Sequence, residues 1–361
     1  MYPALAVLQA LNDLNPAWQA EGGLLWMGGE KGMEGEIISR QNIPYQAIPA
    51  AGLHGVGLKN LPGNLAKLLR GYLKARRIIR GFKPDVLFFT GGYLAVPAAY
   101  AGRSVPGLVF IPDIEPGLAI KTISNLVDRI AVSVEETIQY TPPGKPVLVS
   151  GYPVRKKILD WTVERARSEL GLDAQRPVLL VFGGSKGARS INQALIRILP
   201  DLLDDVQVLH ISGKLDWEDM KRNQEQLSPS HQKSYRVYPF LHERMGAALR
   251  SADLVVSRSG ASILGEYPLF ELPSILVPYP HAWRYQKTNA NYLVDNGAAV
   301  LIRDEDLSQN LLSAIRSLIK NEKKLESMRS ALRGMARPAA AQIIARQLIT
   351  MVGNTGGGEK R

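Results

Sequence analysis

The stretch ADLVVSRSGASILGEYPLFELPSILVPYPHAWRYQKTNAN, residues 252–291, decides the fold. Leu254-Val255-Val256-Ser257 is a short apolar, β-branched run with the length of a buried parallel strand. It gives way to Arg258-Ser259-Gly260-Ala261-Ser262, where Gly260 permits close backbone approach to a ligand and Ser259 is suited to cap the helix that follows. A helix start presents unpaired N–H groups and the positive end of the helix dipole, a place where phosphate can sit. Glu266 follows within the first or second turn, near enough for its carboxylate to accept hydrogen bonds from a diol such as a ribose. A second strand, Ser274 to Val277, ends in Pro278-Tyr279-Pro280-His281, and Arg284, Gln286 and Asn289 add polar side chains at the same edge. Taken singly, Glu266 reads as a solvated helix residue and Gly260 as a strand terminator. Two successive strand ends with such exits point instead to a ligand crevice at the carboxyl edge of an open α/β sheet.

Outward from this stretch the same alternation continues. Pro177 to Phe182 is a buried strand that runs into Gly183-Gly184-Ser185-Lys186-Gly187-Ala188-Arg189 and then a long helix. The loop lacks Walker A spacing, and it has GGxxG where a dinucleotide fingerprint has GxGxxG, with no acidic residue closing the next strand, Val206 to Ile211. A purely structural turn and a diphosphate cradle built from its N–H groups and the Ser185 hydroxyl are equally compatible with it. Further strands fall at Tyr235 to Tyr238 and Ala299 to Ile302, and Asp306 to Met351 reads as helical throughout, interrupted at Arg337-Pro338. The last residues, Gly353 to Arg361, have the composition of a disordered tail.

Toward the N-terminus, helix patterns at residues 3–14 and Glu34 to Ser39 flank a short strand, Leu24 to Met27, closed by Gly28-Gly29. Strands follow at Tyr45 to Ile48, Asp85 to Thr90 (expected to be central), Leu108 to Ile111, Arg129 to Ser133 and Val147 to Val149. At 361 residues, with 45% apolar and 21% charged residues, the chain has globular composition and the length of two domains. The fold class is therefore α/β, with two doubly wound domains facing across a cleft. Cysteine is absent, which excludes disulfides and thiolate chemistry, and the five histidines show no metal-ligand spacing. No apolar run reaches the roughly 18 residues of a membrane span, and no signal-peptide pattern opens the chain.

The net charge of +11 is unevenly placed. Between Ile37 and Pro84 there is no acidic residue, whereas Arg40, Lys59, Lys67, Arg70, Lys74, Arg76, Arg77, Arg80 and Lys83 all fall there. Leucines and isoleucines interleave with them, so Asn60 to Phe82 reads as a basic amphipathic helix. Nucleic acid, an anionic membrane surface and a solvated helix face are all open to such a helix. No nucleic-acid-binding motif accompanies it, and the preceding Gly52-Leu53-His54-Gly55-Val56-Gly57-Leu58 has the character of a loop that dips into lipid headgroups.

In order and spacing, Gly183 to Asn192, Ser257 to Ala261 with Glu266, Val277-Pro278-Tyr279, and Gln286 with Asn289-Ala290 resemble the MurG family of peptidoglycan glycosyltransferases. Tyr2 to Val7, Gly91-Gly92-Tyr93 and Gly151 to Arg155 match as well, so the resemblance spans nearly the whole chain. It implies a GT-B fold, with an acceptor- and membrane-facing domain at residues 1–153 completed by 337–352, and a UDP-sugar-binding domain at 154–336. It implies transfer of N-acetylglucosamine from UDP-N-acetylglucosamine to an undecaprenyl-diphospho-N-acetylmuramoyl-pentapeptide, at the cytoplasmic face of the membrane. By the family pattern Leu241 meets uracil through its backbone, Glu266 the ribose, and Ser185 with Ala261, Ser262 and Ile263 the diphosphate, with Leu264 beside them. Arg155 lies near the donor, Gln286 faces the sugar hydroxyls, and residues 52–83 meet an anionic membrane. No metal, cofactor or nucleic acid is implied.

Three departures stand out. The family opens on a strand and a GGTGGH-like loop directly before the YPALA stretch, where this sequence has Met1, so the family's acceptor-activating histidine has no counterpart here and no catalytic residue is assigned. Because a doubly wound domain ordinarily opens on a strand, we expect Met1 to be an internal methionine or a late start, with roughly 15 further residues encoded upstream. Where the family has His-Glu-Gln-Asn, this sequence has Phe110-Ile111-Pro112-Asp113, which puts Asp113 at the position of a donor-sugar contact. Tyr285 replaces the first of a Gln-Gln pair. Two other functions share the architecture: a UDP-sugar-binding relative without transferase activity, and a UDP-N-acetylglucosamine 2-epimerase-like enzyme.

Overall fold

The computed structural model describes residues 1–16, 23–30, 33–49, 61–184 and 187–353. The expected lipid-dipping loop at residues 52–58, Ser185 and the tail from 354 onward lie outside the described residues. The chain forms two compact units, one from described residues within 1–153 together with 339–353, the other from Val154–Pro338.

In unit 1, β1 (Trp26–Gly29) and β2 (Tyr45–Ile48) pair in parallel. A separate parallel sheet takes β3 (Leu87–Phe89), β4 (Gly107–Ile111), β5 (Arg129–Val132) and β6 (Val147–Val149) in chain order. All five residues of β4 are buried, as a strand covered on both faces requires. Two expectations are corrected here. The first strand is displaced toward Gly28-Gly29, which join the ladder opposite Ala47 and Ile48 instead of turning the chain. They do so because Tyr45 lies across them: its hydroxyl donates to the Gly29 carbonyl at 2.6 Å, and a Cβ on Gly28 would sit 2.4 Å from that hydroxyl. The strand expected to be central, β3, is three residues long and pairs only with β4 among the described residues. Residues of β1 and β3 line a cavity of about 800 Å³, with Trp26, Met27, Phe88 and Phe89 in its wall and Leu8 and Leu348 beside them. The last helix, Ala340–Gly353, packs in this unit on the first, Tyr2–Leu14.

The helix Leu61–Phe82 turns Gly71, Ala75 and Ile79 inward and leaves Leu65, Leu69 and Leu73 outward, 60%, 60% and 55% exposed. Lys67, Arg70, Lys74, Arg76, Arg77 and Arg80 are exposed on the same helix. A leucine stripe at four-residue spacing is thus presented among cations, not spent on the core.

Unit 2 is built on β7 (Val178–Phe182), β8 (Gln207–Ile211), β9 (Tyr235–Tyr238), β10 (Leu254–Ser257), β11 (Ser274–Leu276) and β12 (Ala299–Leu301). Their order is β12-β11-β10-β7-β8-β9, and every pairing is parallel. The chain therefore runs from β7 out to β9, returns to β10 and runs out the other way, which puts the topological switch point between β7 and β10. Their register sets Ser257 beside Phe182, and Leu276 beside Ser257, so three strand ends finish level. The helix Arg189–Leu203 lays Ile191, Ala194, Leu195, Leu199 and Leu202, spaced three and four apart, onto this sheet, where the helix Leu307–Ile319 adds Leu311, Ile315 and Leu318. The segment expected to be continuous helix after Asp306 breaks also at Lys320-Asn321, because the Asn321 side chain accepts from the Lys324 N–H at 3.0 Å and starts a new helix, Glu322–Met335. No helix among the described residues is long and apolar enough to cross a membrane.

Candidate donor site

The two glycine-bearing loops singled out in the sequence leave adjacent central strands. After β7 the chain passes Gly183 and Gly184, and Gly187-Ala188 leads into the helix Arg189–Leu203. Gly183 is dictated by space, since a Cβ there would lie 2.2 Å from the Ala188 nitrogen. Gly187 is dictated twice: its φ is +80°, and a Cβ would lie 2.3 Å from the carbonyl oxygen of Ser212 at the exit of β8. The turn is thus wedged between two strand ends with no room for side chains at its base.

The exit of β10 forms a tight turn before the helix Ile263–Phe270. The Ile263 and Leu264 N–H groups donate back to Gly260 and Ala261 carbonyls, each at 3.1 Å, and the Glu266 N–H to Ser262 at 2.8 Å. The N–H groups of Ala261 and Ser262 make no such bond among the described residues, so the donors available to an anion sit one step earlier than the helix itself. Ser259, expected to cap this helix, does not: Ser262 occupies the cap position, and the Ser259 hydroxyl is buried without a hydrogen-bond partner. Nothing would meet a Cβ at Gly260, so that face of the turn is open.

Glu266 stands one turn into the helix. Burial pushes its carboxyl up to about 7, and the Ser262 hydroxyl and the positive charge of Arg155 pull the other way. Three predicted residues, Arg155, Ser262 and Glu266, are therefore brought together. Gln286 is also at this edge, on the helix Trp283–Asp295, with its side-chain oxygen accepting from the Tyr279 N–H at 2.9 Å. Its amide nitrogen is the end left to face outward. Asn289, read as another polar edge residue, is instead fully buried and donates to the Ser259 carbonyl at 3.2 Å, where it holds the β10 exit from behind.

Leu241 follows β9 and is buried, its carbonyl accepting from the Arg244 N–H at 2.7 Å. Beside it His242 adopts φ +37°, and its ring meets that of Phe240 edge-on at 4.4 Å between centroids. Asp113 belongs to unit 1, two residues past the end of β4.

Two networks were not picked out by sequence reasoning. His210 in β8 lies 2.7 Å from the Tyr235 hydroxyl through Nδ1 and 2.9 Å from Asn192 Oδ1 through Nε2. The Asn192 amide nitrogen is committed to Ser212 O (2.9 Å) and Asp216 Oδ2 (2.8 Å), so its oxygen must accept, Nε2 carries the proton, and Tyr235 donates to Nδ1. Burial lowers the imidazole pKa to about 3, which keeps it neutral. The second network centres on Arg258 and is taken up below. The only sequence signals for either were Ser190 and Asn192 flanking Ile191 at a helix start and an arginine in a strand exit.

Residues 178–344 match the Glycosyltransferase family 28 C-terminal domain, and residues 1–132 the Glycosyltransferase family 28 N-terminal domain. A relative from Desulforamulus reducens, named UDP-N-acetylglucosamine–N-acetylmuramyl-(pentapeptide) pyrophosphoryl-undecaprenol N-acetylglucosamine transferase, is 36% identical over 349 residues, 94% of this chain and 92% of its own. The chain belongs to glycosyltransferase family 28. A relative of the same name from Desulforudis audaxviator is 37% identical, covering 95% of this chain and 93% of its own. Among solved structures, MurG of Acinetobacter baumannii superposes with a TM-score of 0.71 at 25% identity, over 97% of this chain and 95% of that one. The calicheamicin glycosyltransferase CalG4 has the same fold, with a TM-score of 0.68 at 12% identity over 100% of this chain and 96% of its own. The fold is accordingly GT-B, with two Rossmann-like α/β units.

Proposed function

We propose that this chain transfers N-acetylglucosamine from UDP-N-acetylglucosamine to an undecaprenyl-diphosphate-linked N-acetylmuramoyl-pentapeptide. The observation that carries the donor half is the pairing of two glycine-bearing exits on β7 and β10, the neighbours at the switch point, with Glu266 beside them. In this reading the Ala261 and Ser262 N–H groups receive the diphosphate, joined by Ser185. Glu266 accepts from the ribose hydroxyls, Leu241 offers backbone to the uracil, and the amide nitrogen of Gln286 donates to a sugar hydroxyl. Leu264 shapes the turn and Arg155 tempers Glu266. Fixed N–H dipoles stabilise the charge that gathers on the leaving diphosphate as the glycosidic bond breaks, because they need no reorganisation. The names of the relatives supply the sugar and acceptor.

The acceptor is lipid-linked, and the outward stripe of Leu65, Leu69 and Leu73 among cations suits an anionic bilayer. We place the chain peripherally on the cytoplasmic membrane face through this helix. UDP release measured with and without the lipid-linked acceptor tests the reading. Acceptor-dependent release is expected, and release at the same rate without acceptor would contradict transfer.

A further inference from the structure

We propose that Arg258 is a positioning residue that locks the diphosphate turn and the sugar-facing Gln286 into one frame, and that it does not itself meet the ligand. This assignment rests on the donor-site reading above. An arginine in a glycine-bearing strand exit would ordinarily be taken as a phosphate-binding cation. Here its side chain is only 10% exposed and its donors are aimed at protein acceptors. Nη1 donates to Asp304 Oδ1 at 2.5 Å and to the carbonyls of Val277 (3.2 Å) and Pro278 (3.3 Å). Nη2 donates to the Ser190 hydroxyl at 2.7 Å, and that hydroxyl donates on to the same Asp304 oxygen, also at 2.7 Å. The guanidinium charge is balanced by a carboxylate within the protein, and a phosphate could claim it only by displacing bonds already made.

What these bonds join explains their use. Ser190 is the second residue of the helix that begins where the β7 glycine turn ends. Val277 and Pro278 form the exit of β11, and Asp304 follows β12. One planar group therefore ties together the exits of β7, β10, β11 and β12. The tie extends one residue further: Tyr279 lies over the guanidinium, 5.3 Å from ring centroid to the central carbon, and its N–H holds the side-chain oxygen of Gln286 at 2.9 Å. Fixing Val277 and Pro278 fixes the Tyr279 N–H, and this decides which end of the Gln286 amide is presented. A site built this way has its ligand-facing groups held by a shell whose own rotamers are locked.

The test compares Arg258→Lys, Asp304→Asn, the double variant, Ser190→Ala and Gln286→Ala by calorimetric titration with UDP and with UDP-N-acetylglucosamine, alongside melting curves. If Arg258 positions, Asp304→Asn weakens UDP binding about tenfold or more, Arg258→Lys does the same, and the double variant is no worse than either single. In both singles the affinity ratio between UDP-N-acetylglucosamine and UDP falls to that of Gln286→Ala, which a general loss of stability would not produce. If Arg258 meets the phosphate, Arg258→Lys weakens UDP while Asp304→Asn leaves it unchanged or tightens it, and the assignment is overturned. Should Asp304→Asn not fold, Ser190→Ala makes the same comparison with loss of a single hydroxyl, and unchanged UDP affinity together with an unchanged ratio there would overturn it equally. A wild-type chain that binds no UDP would instead remove the donor-site reading on which the assignment stands.

Discussion

On the proposed assignment of Glu266 to the ribose, its carboxyl makes donor binding proton-linked. Burial raises it to about 7, so in the unliganded protein near neutral pH roughly half the population carries a proton there. A ribose diol donates hydrogen bonds and so selects the ionised form. The apparent dissociation constant then scales as one plus the ratio of protonated to ionised carboxyl. Relative to pH 9 it should be about twofold weaker at pH 7, about elevenfold weaker at pH 6 and about a hundredfold weaker at pH 5. The sign is that of an acid whose pKa in the free protein lies above that in the complex, so binding near pH 7 releases about half a proton. UDP-N-acetylglucosamine is the right ligand for this experiment because its diphosphate is esterified at both ends and does not itself titrate in the range. Titration calorimetry in two buffers of different ionisation enthalpy reads the proton directly. Glu266→Gln should abolish the pH dependence and, at pH 8, cost about 1.5–3 kcal/mol, a tenfold to hundredfold loss. A wild-type affinity that is flat from pH 5 to 8, or proton uptake in place of release, would rule out an ionised Glu266 as the ribose acceptor.

The folded protein carries the same linkage with opposite consequence for stability. A carboxyl raised above its ordinary range is harmless when protonated and costly when ionised, so unliganded Glu266→Gln should melt above wild type at pH 8 and with it at pH 5; the reverse order would be contrary. Gly187→Ala, which adds a methyl at φ +80° and 2.3 Å from the Ser212 oxygen, should destabilise by about 1–3 kcal/mol and weaken UDP binding, and an unchanged melting temperature would count against the wedge described for that turn. Asn192→Ala leaves the His210 Nε2–H and the Asp216 carboxylate short of a partner in a buried site and should cost about 2–5 kcal/mol by denaturant unfolding. Replacing Leu65, Leu69 and Leu73 together by Glu should hold stability within about 1 kcal/mol yet end sedimentation with phosphatidylglycerol vesicles, and persistence of that binding would dismiss the helix as the membrane contact.

Much of unit 2 was legible in sequence because its signals are local. A run such as Val178 to Phe182 announces a buried strand, glycine at Gly183 and Gly187 marks backbone too close to something else for a side chain, and Glu266 sits one turn into a helix that begins just past the β10 exit. What was missed is non-local. Arg258 and Asp304 are 46 positions apart in the chain and meet only because β10 and β12 end on the same edge, and Asn192 finds its buried partner only when the fold brings His210 to it. Asn289 was misread for the converse reason: its polarity suggested an outward role, whereas its partner is a buried carbonyl of the β10 exit. In unit 1 the first strand was displaced because Gly28-Gly29 look like a turn until Tyr45 is known to lie over them. The leucine stripe of Leu61–Phe82 was legible as amphipathic, but hydropathy alone could not say that three of its leucines face outward.

The claim that matters most is the transfer itself. Incubating the chain with UDP-N-acetylglucosamine labelled in the sugar, with and without vesicles carrying undecaprenyl-diphospho-N-acetylmuramoyl-pentapeptide, and identifying the labelled lipid by mass spectrometry tests it directly. One added N-acetylhexosamine on the lipid is expected, formed only when acceptor is present and lost with Glu266→Ala. Label that stays on the nucleotide, or appears as its 2-epimer without any acceptor, would contradict it.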